Sequence, residues 1–103
     1  MRVINRKEFL QMRKNTIFAT YEPCVFGRLC IKGESFEDDF LFTDFMETGL
    51  NFNIYSDLLD NRKSVLIDLS SQSRDGIFED EQMFVIFEDK DIEHLIDRLK
   101  MCL

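Results

Sequence analysis

Met83-Phe-Val-Ile-Phe-Glu-Asp-Lys-Asp-Ile-Glu-His-Leu-Ile-Asp-Arg-Leu-Lys-Met101 carries two hydrophobic periods in succession. Its first five residues are apolar on both alternating faces, the pattern of a strand covered on both sides. From Asp89 the apolar residues fall at Ile92, Leu95, Ile96 and Leu99, the i, i+3, i+4, i+7 spacing of an amphipathic helix. The switch at Glu88-Asp89 predicts an interior strand over 83–87 followed by a helix over 89–101, capped by Asp89 and packed on the sheet through Ile96. Acids crowd the start of that helix and Lys100 stands at its end, both favourable to the macrodipole.

Upstream, Asn5 is a candidate cap for a helix over residues 6–14 that buries Phe9, Leu10 and Met12. Thr16-Ile-Phe-Ala-Thr-Tyr21 is rich in strand formers, and Glu22-Pro23 interrupts it. Residues 25–32 read as a second strand, Gly33-Glu34-Ser35 as a turn, and residues 39–45 as a third strand. Ile54, Leu58 and Leu59 have helical spacing, which places a short helix near 54–61. Residues 65–67 form a short strand or a buried extended piece. The Asp75-Gly76 pair ends a polar turn over 70–76. The expected order is α-β-β-β-α-β-α. It implies an α+β fold: a single antiparallel sheet of about four strands with helices packed mainly on one face. A chain of 103 residues suits one compact domain, 1–103.

The net charge is −7, from 20 acids and 13 bases, and it is unevenly laid out. Residues 1–33 hold seven bases and two acids; residues 34–103 hold six bases and 18 acids. This balance argues against direct nucleic-acid binding, which needs a basic footprint. No apolar run approaches the roughly 20 residues of a membrane-spanning helix. Arg2 is not followed by an apolar segment, so no secretory signal is expected. Three cysteines, Cys24, Cys30 and Cys102, are an odd number in apolar settings, which fits reduced thiols in a cytoplasm.

Catalytic and metal-binding patterns are poorly represented. His94 is the single histidine, at the edge of the helical stripe, with no nucleophile or acid in a local signature. Cys24 and Cys30 have five residues between them and no second ligand pair nearby, so zinc is not expected. A calcium loop aligned on Asp75-Gly76 would place Ser71 at its first position and Gln82 at its twelfth, where carboxylates are needed. Glycines are scattered, with no phosphate-cradling loop. Neither a catalytic residue nor a cofactor is expected.

The acids cluster instead, at Glu37-Asp38-Asp39 and Glu79-Asp80-Glu81, with Phe36 and Phe78 beside them. Acidic runs commonly serve as solvated faces. Their interleaving with phenylalanine also describes a surface that binds a basic protein, with Phe36, Glu37, Asp38, Asp39, Phe78, Glu79, Asp80 and Glu81 as partner-binding candidates. Two stretches add to this: Thr16-Ile-Phe-Ala-Thr-Tyr-Glu with Leu29-Cys-Ile-Lys-Gly, and Arg74-Asp-Gly-Ile-Phe-Glu-Asp-Glu-Gln-Met-Phe-Val-Ile-Phe-Glu before Asp-Ile-Glu-His-Leu-Ile. Together the chain resembles small uncharacterised bacterial proteins carried by prophages and other mobile elements. The resemblance implies an inhibitor of a bacterial defence system, of anti-CRISPR or anti-restriction type. An immunity protein or antitoxin against a basic toxin is the nearest alternative. A small hydrolase or metal-dependent enzyme, and a homo-oligomer joining the basic third of one chain to the acidic part of another, are further ones.

Overall fold

A computed structural model describes residues 1–45 and 56–103. Its elements are β1 (Arg2–Asn5), α1 (Arg6–Leu10), β2 (Ile17–Glu22), β3 (Val25–Phe26), β4 (Cys30–Phe36), β5 (Asp39–Asp44), a π-helical turn (Ser56–Asp60), β6 (Ser73–Arg74), β7 (Met83–Phe87) and α2 (Asp89–Lys100). The strands form one sheet of seven, ordered β1-β7-β2-β4-β5-β6, with β3 paired to β2; every pairing is antiparallel.

This overturns the expected fold. The sheet has seven strands, not about four, and the helices do not form a layer over one face. The first addition is β1, a four-residue strand too short to show a period, which buries Ile4 and exposes Val3. Asn5 then caps α1 as expected, its Oδ1 accepting from the Glu8 amide at 2.8 Å. The helix stops at Leu10, well short of Lys14, and closes with i→i−3 bonds from Gln11 and Met12. The expected strand over 25–32 divides into β3 and β4. Gly33-Glu34-Ser35 is not a turn: β4 runs through it with a register shift against β5 between Lys32 and Ser35. A Cβ at Gly33 would lie 2.9 Å from Gln72 Nε2 and 3.0 Å from Leu41 Cβ, so the close approach of β5 favours glycine. β6 interrupts the expected turn over 70–76. Residues 65–67 form no strand; Leu66 and Ile67 are exposed. The expected helix near 54–61 lies partly outside the described residues; within them its remainder is the π-helical turn.

The core is aromatic. Phe9 of α1 stacks on Phe84 of β7 at 4.0 Å between ring centroids and meets Phe18 and Phe40 edge-on at 4.7 and 4.9 Å. Ile4, Cys30 and Ile86 complete this cluster, with Leu10, Met12 and Phe42 packed against it. Register explains the common face: Ile4 opposes Phe84, and Phe18 opposes both Ile86 and Cys30. β7 lies between β1 and β2, and Phe84, Val85 and Ile86 are all buried, the interior position its apolar run predicts.

α2 departs furthest from expectation. It has the expected extent, but no residue of it is buried; Ile96 is 46% exposed and Leu99 64%. Its N-cap is Glu88, not Asp89, and the Asp91 carboxylate accepts from the Glu88 amide at 2.8 Å.

Candidate interaction surface

The β4–β5 hairpin carries the first acidic cluster. Phe36 ends β4, Glu37 and Asp38 make the turn, and Asp39 opens β5 opposite Phe36. Glu37 adopts a left-handed backbone, φ 53°, which the tight turn demands. The passage from turn to strand then separates the three acids. Glu37 and Asp38 stay exposed, while Asp39 is 1% exposed.

Asp39 is therefore removed from the set of partner-contacting residues. Its carboxylate is taken up internally: Arg74 Nε donates to Oδ2, and the Gly76 amide donates at 3.0 Å to Oδ1. Arg6, itself buried, lies 4.0 Å from the same carboxylate through Nη2, pairs with Asp75 at 3.2 Å and donates to the Asp38 carbonyl at 2.6 Å. Burial pushes the Asp39 carboxyl up, but the Arg74 hydrogen bond, the Gly76 and Phe40 amides and the Arg74 charge outweigh it and hold it below its ordinary value. A buried carboxylate is tolerated here because two cations and a backbone amide surround it.

The same Arg74 organises the surface above. Its guanidinium carbon lies 5.2 Å from the Phe36 ring centroid and 5.6 Å from that of Phe78, so both rings meet one cation. The two phenylalanines singled out from sequence are thus brought together, and both are exposed, at 38% and 49%. Ile77 beside them is 73% exposed. Phe78 is held in the left-handed region, φ 57°, a conformation costing a bulky residue on the order of 1–3 kcal/mol. Solvent exposure does not offset that cost.

The second acidic cluster lies against a different hairpin. Glu79 and Glu81 line a groove of about 240 Å³ with Tyr21, Glu22, Pro23, Gln82 and Met83. The Glu81 amide donates to Glu79 Oε1 at 3.3 Å, and Gln82 reaches the Tyr21 carbonyl with Nε2 at 3.4 Å. Glu79, Asp80 and Glu81 are exposed. Phe78 faces Arg74, whereas Glu79 and Glu81 border the end of β2 at Tyr21 and Glu22.

Sequence reasoning missed Arg74 and Arg6. The one local signal was a cation immediately before Asp75-Gly76; Asp39 and Arg74 are 35 residues apart, and no local pattern joins them. His94 is exposed on α2, and it lines a groove with Phe87, Lys90, Asp91, Leu95 and Arg98. Cys24 and Cys102 are exposed thiols; Cys30 is buried, and burial pushes its thiol up to about 11. Among the described residues, no three His, Cys, Asp or Glu side chains are grouped to hold a metal ion, and no helix is long and apolar enough to cross a membrane.

Comparison with known proteins found no matching family model, no matching curated protein and no matching solved structure.

Proposed function

We propose that the chain is a non-enzymatic interaction protein that engages a basic protein surface through the Phe36–Arg74–Phe78 cluster and its acidic surroundings. The observation that carries this reading is the meeting of two exposed phenylalanines on one arginine, with Phe78 kept in a strained backbone. Aromatic and arginine side chains dominate binding energy at protein interfaces. Asp39 balances the Arg74 charge from the buried side, and Arg74, Phe36 and Phe78 all remain exposed. Glu37 and Asp38 on the adjoining turn supply a negative rim, and Glu79, Asp80 and Glu81, against the β2 end, add to the longer-range field that steers a basic partner.

The class of partner this chemistry suits is a protein with a basic nucleic-acid-binding channel, which an acidic chain blocks sterically and electrostatically. That makes the protein an inhibitor of the anti-CRISPR or anti-restriction kind. The test is affinity capture from a bacterial lysate with the chain as bait, followed by measurement of both rate constants at low and high salt. Reversal of Glu37 and Asp38 to lysine is expected to slow association, most at low salt, because attraction is screened within about 10 Å at 0.1 M and about 3 Å at 1 M. Phe36→Ala and Phe78→Ala are expected to raise the dissociation rate. Equal rates for all variants, or a captured partner without a basic surface, would reject the proposal.

A further inference from the structure

We infer that α2 is a self-association element, pairing antiparallel with α2 of a second copy of this chain. Ile92 and Leu95 are half-buried, while Ile96 and Leu99, on the same stripe, are left open at 46% and 64%. An amphipathic helix with an open apolar stripe gains stability by burying it against another surface.

The charges bordering the stripe select the occupant and its direction. At about 100° per residue, Asp89, Glu93 and Lys100 fall along one border, and Asp91 and Arg98 along the other. Each border is thus acidic near the helix start and basic near its end. When two copies pack antiparallel about a two-fold axis, each border meets the same border of its partner in reverse. Asp89 and Glu93 then face Lys100, and the helix dipoles oppose favourably; on the other border the Asp91 carboxylate is already held by the Met1 amine, so the Asp89-Glu93-Lys100 border carries the selection. Parallel packing would set opposite borders together, acid on acid and base on base. The stripe is therefore complementary to itself in one direction only.

The size of the helix sets the strength. Twelve residues span about 18 Å, so the contact falls below the roughly 1,200 Å² of a standard interface, and pairing is concentration-dependent. Sedimentation equilibrium on the full chain, from roughly 10 µM to 1 mM, brackets affinities of that class. The average mass is expected to climb from 12.3 kDa toward twice that value. Leu99→Lys, at a position exposed enough to leave the fold intact by circular dichroism, is expected to hold it at a single chain. Asp89→Lys with Glu93→Lys is expected to weaken pairing several-fold, and adding Lys100→Glu to restore it. A mass fixed at one chain throughout, a Leu99→Lys protein that pairs like the wild type, or failure of Lys100→Glu to rescue would each overturn the inference. The acidic hairpins play no part in it, so its failure leaves the proposed function standing.

Discussion

Lys32 is a cation carried into the interior. It is 2% exposed, donates from Nζ to the Gly33 carbonyl at 3.1 Å and lies 5.8 Å from the Phe9 ring centroid. Burial lowers its pKa, and the charge of Glu34 raises it only in part. A lysine with a lowered folded pKa leaves the unfolded chain holding more protons once pH passes that value. Stability therefore rises with pH from there to the ordinary lysine value of about 10.4. Lys32→Met keeps the length and removes the charge. It is expected to raise stability at pH 7 by about 1–3 kcal/mol and to flatten the alkaline rise, as read from urea unfolding across a pH series. A less stable Met variant would mean that the carbonyl and ring contacts outweigh the buried charge. Lys32 and Asp39 share one lesson about legibility. Each sits in a stretch that reads as polar, and each is buried by partners distant in sequence: Phe9 for the lysine, Arg74 and Gly76 for the aspartate.

Among the elements, α2 shows how far periodicity reaches. Ile92, Leu95, Ile96 and Leu99 specify a helix and one apolar face, and the helix forms over the expected residues. Periodicity is silent on what covers that face, and among the described residues little does. Ile96→Ala is accordingly expected to cost less than about 1 kcal/mol at dilute concentration, the range of surface substitutions, and not the 2–5 kcal/mol of a core site. Thermal unfolding at low protein concentration measures it; a core-sized loss there would place Ile96 inside the single chain. β1 illustrates the reverse limit. Its four residues have no readable period, yet pairing with β7 makes it a strand. β4 differs again: Gly33-Glu34-Ser35 has turn composition, but pairing with β5 carries the strand through it as a bulge.

For the whole molecule, stability is concentrated around β7 and β2. Each has a hydrogen-bonded strand on both sides, and each contributes a phenylalanine to the ring cluster. Residues 61–72 are the contrast. Leu66 is 91% exposed and Ile67 64%, and the local bonds are of the kind that Asp68 makes with Ser70 and Ser71. Amide hydrogen exchange is expected to divide accordingly: Ala19 and Val85 exchange only through global unfolding, whereas Leu66 and Ile67 exchange orders of magnitude faster. Comparable protection across both groups would show that 61–72 belongs to the same cooperative unit.

By itself the sequence determined what depends on neighbouring residues: the apolar run of β7, the period of α2, the Asn5 cap and the excess of acid. Tertiary structure alone decided what depends on residues far apart. It recruited β1 and β6 into the sheet, drew Lys32 and Asp39 inside, and brought Phe36 and Phe78 to Arg74. The physical reason is that a side chain's period and propensity are properties of its own segment. Burial, pairing and charge compensation are set by which distant segment arrives beside it.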